Sequence, residues 1–447
     1  MSRDSSKAQR GRVLASAAMR LVYSLILYLL LPLVFLRLLW RSLKAPAYRR
    51  RWAERMGWFG APEQWGGLWV HAVSVGEVQA VLPLIRQLLT AYPGLPITVT
   101  TTTPTGSARV VEQLGDAVFH VYFPYDLPLA LRAFLRRVRP RVLLMVETEI
   151  WPNLLHACRR NGVFTLLANA RLSERSARGY ARLGGFTRRT FAAIDQIAAQ
   201  AEPDAARFLA LGVPKERIAV TGSIKFDQKI AASLAEQAEV LRREWGGRPV
   251  WVAGSTHEGE DEQVLFAHRK VLSRFPNALL ILVPRHPERF ERVVGLCKRE
   301  QLKMVRRTRG DSYSPDTQVY LGDTMGELTA LIGSADVAFI GGSLVKTGGH
   351  NMLEAAAQGV PVCFGPHVFN FATISQMLLT QGAARQVASD AELGACVADW
   401  FADASQRAVV GERGRRVVED NNGALEKLSA LIPLDEAWPE FADGEAQ

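Results

Sequence analysis

From residue 68 onward the chain alternates short apolar runs with longer stretches whose apolar residues recur at helical spacing. That alternation is the signature of strand-helix-strand units built around a parallel sheet. Runs at 68–72, 97–101, 118–122, 142–146, 164–168, 196–199 and 218–221 read as the strands of a first domain. A second series at 250–253, 278–283, 303–305, 318–321, 337–340, 360–364 and 384–387 reads as those of another. The pattern predicts an α/β chain of two doubly wound, Rossmann-like domains, 41–229 and 248–432. A charged helical linker at 230–247 joins them and a tail at 433–447 follows.

Upstream the pattern changes. Residues 21–36, LVYSLILYLLLPLVFL, carry no charge, and apolar residues resume after Arg37. As a helix this core spans about 24 Å against the ~30 Å of a bilayer interior, a gap that snorkelling Arg20, Arg37 and Arg41 can close. Residues 21–40 therefore read as a membrane anchor behind a basic tail, 1–20, with Pro32 expected to kink it. No small-residue cleavage site follows, so the anchor reads as retained. Spanning the bilayer and lying in its interface both fit.

Length and charge agree with this division. At 447 residues the chain exceeds the size at which one core keeps growing. Its net charge of +10 is confined to residues 1–55, which hold twelve Lys and Arg against Asp4 and Glu54. The body is balanced, so a nucleic-acid face is not called for. The basic collar, with Arg41, Lys44, Arg49, Arg50, Arg51 and Arg55 beyond the anchor, suits anionic lipid or a phosphorylated lipid substrate, or simply orients the anchor with the body on the cytoplasmic side. Cys158, Cys297, Cys363 and Cys396 lack metal or disulfide spacing and read as small buried hydrophobes.

In doubly wound sheets ligands sit at the carboxyl ends of strands, so the loops after the strands carry the candidate chemistry. In 340–354, IGGSLVKTGGHNMLE, two glycine pairs separate a strand from a helix expected to begin near Asn351, with Glu354 one turn in. This is either a tight turn with a capping Asn or a seat for phosphate on loop and helix N–H groups, Glu354 facing ribose hydroxyls. Glu77, in His71-Ala72-Val73-Ser74-Val75-Gly76-Glu77, is a general base or a first-turn Glu complementing the helix dipole. Glu147 and Glu149 flank a Trp151-Pro152 corner suited to a hydroxylated or basic ligand. Ser255 and Thr256 offer hydroxyls to an anion; His257, Glu258, Glu260 and Asp261 imitate a metal cluster, but helix capping accounts for the acids. Arg285 and His286 between two prolines either suit phosphate or carboxylate or belong to a purely structural turn, and 322–327 reads as a capped helix start where a ligand can approach Gly326. Together the loops of the second domain describe a nucleotide site without GxGxxG or a Walker motif.

As a set, the anchor, Ser74 to Glu77, 147–153, 254–258, 283–287, 325–327 and 341–354 through Gly365-Pro366 and Asn370-Phe371 resemble the 3-deoxy-D-manno-octulosonic acid (Kdo) transferases of lipopolysaccharide assembly, glycosyltransferase family 30. The resemblance covers nearly the whole chain. It departs at Met352 and Ala355, where family members often have proline. It implies a GT-B glycosyltransferase with two domains facing a cleft, the lipid acceptor on the first and CMP-Kdo on the second. The implied catalytic base is Glu77, acting with inversion. The implied CMP contacts are Arg285, His286, Met325, Gly326, Glu327, Asn351, Met352, Leu353 and Glu354. Further donor or acceptor contacts are expected from Ser74, Gly76, Glu147, Glu149, Ser255, Thr256, Gly342, Ser343, Gly349 and His350. The implied acceptor is the tetraacyldisaccharide 1,4′-bisphosphate precursor of lipid A, lipid IVA, at the cytoplasmic side of the bacterial inner membrane, with no metal or other cofactor. A GT-B relative using a uridine donor, and a tethered nucleotide-binding scaffold without catalysis, are the competing readings.

Overall fold

The computed structural model describes residues 3–43, 45–227, 230–310, 313–434 and 438, with side chains from residue 18 onward. The chain divides into two compact units, Met1–Ile224 with Gly423–Gln447, and Lys225–Asn422. Each is built on a seven-stranded parallel sheet, and every run expected to be a strand is one.

The first sheet comprises β1 (Leu68–His71), β2 (Ile97–Thr101), β3 (Phe119–Tyr122), β4 (Val142–Val146), β5 (Phe164–Ala170), β6 (Gln196–Ala199) and β7 (Ile218–Val220), in the order β3-β2-β1-β4-β5-β6-β7. Trp69 of β1 lies opposite Thr98 of β2 and Leu143 of β4. Both faces are covered, which is why these strands read as continuous apolar runs. Leu68, Val70, Val142 and Leu144 enter one core, and Trp69, Leu143 and Met145 enter the other.

The second sheet comprises β8 (Val250–Thr256), β9 (Leu279–Pro284), β10 (Met304–Arg306), β11 (Val319–Leu321), β12 (Val337–Ile340), β13 (Val362–Phe364) and β14 (Ala384–Gln386), in the order β10-β11-β9-β8-β12-β13-β14. Trp251 lies opposite Leu280 of β9 and Val337 of β12. The order in which strands are added reverses between β1 and β4 in the first sheet and between β8 and β12 in the second, all strands staying parallel. Such switch points open crevices at the strands' carboxyl ends.

Two boundaries differ from the sequence expectation. Residues 230–247 do not form a free linker: the helix Ala232–Glu244 packs on the helix Leu328–Gly333, and Leu241 and Trp245 are buried in the second unit's core. Nor does the C-terminal stretch complete the second domain. The helix Ala424–Ser429, with Ile432 and Trp438, completes the first unit's core, and the Trp438 indole N–H donates to Gly66 O at 2.9 Å.

The first helix, Arg3–Ser42, runs through Pro32 without interruption. Its stretch Ala18–Ser42 is long and apolar enough to cross a membrane. One side is fastened to the first unit: Tyr23 Oη donates to Asp126 at 2.9 Å, Ser24 Oγ and Asn153 hydrogen-bond, and Phe35 packs against Trp52 and Tyr125. Leu21, Leu25, Leu29, Leu33 and Leu36, on the other side, are each at least 60% exposed. The four cysteines are buried thiols.

Candidate functional site

In the first unit the crevice between β1 and β4 is lined by carboxylates. Ser74 caps the helix Val75–Ala91, accepting from Glu77 N at 3.4 Å. Glu77 reaches back, its Oε2 accepting from Val73 N at 2.7 Å and its Oε1 from Ser74 Oγ at 3.0 Å. This is the reciprocal capping that fits the bland reading. Yet the carboxylate is also mostly buried and faces Glu147 and Glu149, and burial first, then the Glu147 charge, pushes its pKa up to about 7. Capping and proton exchange near neutral pH therefore coexist in one side chain. Gly76, beside it, is exposed.

Glu147 stands at the carboxyl end of β4 with φ 63°, a left-handed conformation that a non-glycine residue holds only where its surroundings enforce it. Its N–H donates to Ala168 O at 2.8 Å. Glu149 is gripped by the Trp151 indole N–H at 2.6 Å, with buried His71 Nε2 at 3.8 Å. Pro152 opens the helix Pro152–Arg160, whose first N–H groups, Asn153 and Leu154, donate to Asp126.

The collar is only partly taken up by the protein: Arg55 is buried and Arg51 half-buried, Arg41 and Arg49 stay exposed, and Lys44 lies outside the described residues. Arg51 binds Glu54, Ser107 and His120 O, Arg49 donates to Ser42 at 2.8 Å, and buried Arg55 donates to Thr102 O and lies over the Tyr122 ring. Arg50 is exposed.

In the second unit the crevice between β8 and β12 gathers the other loops. The glycine loop has the backbone its sequence demands, with positive φ at Gly342, Gly348 and Gly349. Three of its N–H groups, however, are taken by the protein itself. The carboxylate of Glu260, fully buried, accepts from Gly342, Ser343 and Leu344 N at 2.6, 2.9 and 2.8 Å, and from His257 N at 2.9 Å. Ser343 Oγ accepts from Gly365 N. The helix begins later than expected, at Leu353, and runs only to Ala357; the Leu353 N–H is taken by Asn351 Oδ1. Part of the expected phosphate seat is thus filled by the protein's own oxygens. Met352 and Leu353 are buried in the core, which leaves only their backbone to face a ligand.

Side chains around that loop remain available. Arg285, its N–H bonded to Thr256 O, makes no side-chain hydrogen bond or ion pair among the described residues. His286 meets His257 edge-on, and His257 Nε2 lies 2.7 Å from His350 Nε2. Glu354, held by Asn351 Nδ2 and Thr329 Oγ1, is pushed up by burial. Ser255 sits at the end of β8 with φ 58°, and Thr256 Oγ1 donates to Asp261 at 2.6 Å. The side chains that imitated a metal cluster diverge: Glu260 into the glycine loop, Asp261 to Arg289, Glu258 outward to Arg292. Met325 is exposed and Gly326 has φ 88°. Glu327 is bound by Arg307, Gln237 and Thr324, and the Arg307 fork first of all pulls its pKa down to about 2.

Sequence reasoning missed Glu260 as the occupant of the glycine loop and Arg289 as the residue pinning the β8 loop. The only sequence signal for Glu260 was its place before a helix, which reads equally as a cap.

The chain matches a family model described as 3-deoxy-D-manno-octulosonic-acid transferase (kdotransferase) over residues 50–228. The 3-deoxy-D-manno-octulosonic acid transferase of Haemophilus influenzae is 44% identical over 419 residues, 92% of this chain and 98% of that one. The solved C-terminal CMP-Kdo binding domain of WaaA from Acinetobacter baumannii is 33% identical and covers 42% of this chain and all of that domain, with a TM-score of 0.41. The UDP-GlcNAc 2-epimerase of Neisseria meningitidis, 12% identical, matches 85% of this chain and 100% of its own with a TM-score of 0.51, a likeness of the GT-B type of fold. The sequence resemblance and the full-length relative agree, and the chain belongs to the 3-deoxy-D-manno-octulosonic acid transferase family of glycosyltransferases.

Proposed function

We propose that the chain transfers Kdo from CMP-Kdo to lipid IVA with inversion of configuration, Glu77 serving as the base. The observation that carries this reading is the Glu77 carboxylate, set at a switch-point crevice and brought to a pKa of about 7 by burial and by Glu147. At neutral pH it is divided between its two forms, the condition under which a carboxylate both accepts and later releases a proton.

In this mechanism Glu77 removes the proton of the acceptor hydroxyl as its oxygen attacks the anomeric carbon of Kdo. The bond from that carbon to the phosphate oxygen breaks on the opposite face, and CMP leaves with the electron pair. Inversion follows from that geometry. Arg285, whose guanidinium makes no hydrogen bond or ion pair among the described residues, receives the donor phosphate. Asn351 and Glu354 hold the nucleoside side, and Glu327 with Arg307 fixes the 325–327 loop against it. The leucine face of Ala18–Ser42 enters the cytoplasmic leaflet of the inner membrane, while Tyr23 and Ser24 stay on the protein, so the acceptor's sugar is met without its acyl chains leaving lipid.

The test is a mass spectrum of lipid IVA after incubation with CMP-Kdo generated in situ, for the wild type and Glu77→Gln. Wild type adds Kdo, and the variant is slower by about 10²–10⁴, the usual worth of a positioned base. Full activity in the variant removes Glu77 from the role. No transfer by either, with turnover of a uridine donor instead, overturns the donor assignment.

A further inference from the structure

Three histidines from three loops converge in the second unit: His257 after β8, His286 after β9 and His350 in the glycine loop after β12. The planes of His257 and His350 are within 8°, their centroids 5.0 Å apart and their Nε2 atoms 2.7 Å apart. The centroid separation exceeds the nitrogen separation by about two ring radii, so the rings meet edge to edge in one plane, joined by a single N–H···N bond. Only one proton fits that gap: two would collide, and none would leave two lone pairs opposed. The neutral pair and the singly charged pair both keep this bridge, the extra proton sitting on an outer Nδ1. A doubly charged pair loses it. The pair therefore carries either no charge or one, and titrates as a unit.

Its surroundings favour the neutral form of the pair. His257 faces His286, Arg285 and Arg289 from the β9 loop and Glu260 from the helix start; His350 faces His257, Arg285 and His286. Burial is the main cause that lowers the proton affinity of both rings. The pair also lies directly over the glycine loop: a Cβ on Gly342 would come within 3.0 Å of His350 Cδ2 and 3.4 Å of His257 Cδ2. Because Glu260 takes the N–H groups of Gly342, Ser343 and Leu344, an anion arriving here depends more on the side chains of Arg285, His286 and this pair.

We propose that the His257–His350 pair takes up one proton when a nucleotide phosphate seats beside Arg285, and so supplies a positive charge to it. The proposal rests on the CMP-Kdo reading above. The donor phosphate is a diester with one negative charge; when its bond to the Kdo carbon breaks, the electron pair stays on the phosphate oxygen and a second charge appears. The solvent proton on an outer Nδ1 offsets that charge, while the acceptor's proton goes to Glu77. The pair acts on the phosphate by its charge and keeps its bridge throughout.

Calorimetric titration of the full chain with CMP tests this, at about pH 7.5, where the free phosphate is already mostly dianionic, in two non-phosphate buffers of different ionisation heat. The wild type takes up close to one proton per CMP. His257→Asn and His350→Asn each abolish the uptake and weaken CMP about tenfold near pH 6.5, with a smaller effect near pH 8.5. His286→Asn weakens binding but keeps the uptake. On the unsubstituted protein, carbon NMR of the histidine rings shows two rings changing together on CMP addition, a readout that needs no variant. Binding without proton uptake, uptake lost only in His286→Asn, or unchanged ring signals overturns the proposal and leaves the donor reading standing. Failure of the wild type to bind CMP removes both.

Discussion

Glu77 and Glu260 occupy matching places, each following the first strand of its sheet at the start of the next helix. Their fates are opposite. Glu260 accepts four backbone N–H groups, so its carboxylate is used in holding two loops together. Glu77 accepts one N–H and one hydroxyl and faces two other carboxylates. One position in a repeated architecture thus serves either as an internal strut or as a group able to change its charge. The number of donors supplied decides which.

The comparison can be broken most forcefully at Glu260. Glu260→Ala strands four buried donors and is expected to cost the second unit about 3 kcal/mol or more, read from chemical melts, with CMP binding lost alongside. A variant of unchanged stability would refute the strut.

Glu77→Gln should do the reverse at high pH. The folded-state pKa of about 7 lies above the usual 4.5, so the stability tied to the protonated form is complete below about 4.5 and lost as pH rises through 7. Above 7 the buried charge is a burden that Gln removes. The variant is expected to be more stable at pH 8 by about 1–2 kcal/mol, after allowance for solvent screening, and to show no gain at pH 4.5. A variant less stable at pH 8 would count against the burial account.

A finer cut separates the two causes acting on Glu77. Glu147→Gln removes the neighbouring charge but not the burial, so the acid limb of the pH-rate profile should move down by about one unit from 7 and remain above 4.5. An unmoved limb would assign the whole shift to burial.

The smallest effect asks whether the distinction extends to cations. Arg51, held by Glu54, Ser107 and His120, is spent like Glu260, whereas Arg50 is exposed. Arg50→Gln is expected to raise the KM for the lipid acceptor about fivefold without moving the melting temperature. Arg51→Gln should lower that temperature as well; identical behaviour of the two would erase the difference.

The sheets were legible because their strands are buried on both faces, which makes 142–146, 279–283 and 337–340 continuous apolar runs with little else to be. The loops were legible as places where chemistry gathers, since topology puts the residues after β1, β4, β8 and β12 at the switch points. The occupancy of the glycine loop was not. Glu260 meets Gly342 across 82 residues, a pairing created only when β8 and β12 become neighbours. The same holds for Arg51, whose αL backbone and three partners turn an apparent lipid-facing charge into a brace. The helix Ala424–Ser429 carried an ordinary amphipathic signal, and nothing local says which core it completes.

That last helix imposes an order on synthesis. The second unit is one uninterrupted segment, Lys225–Asn422, whereas the first needs Ala424, Leu425, Leu428, Ile432 and Trp438 to finish its interior. A ribosome has therefore made nearly the whole polypeptide before the first sheet can be sealed. The unit that starts translation is the last to be complete, although domains ordinarily fold from the N-terminus onward.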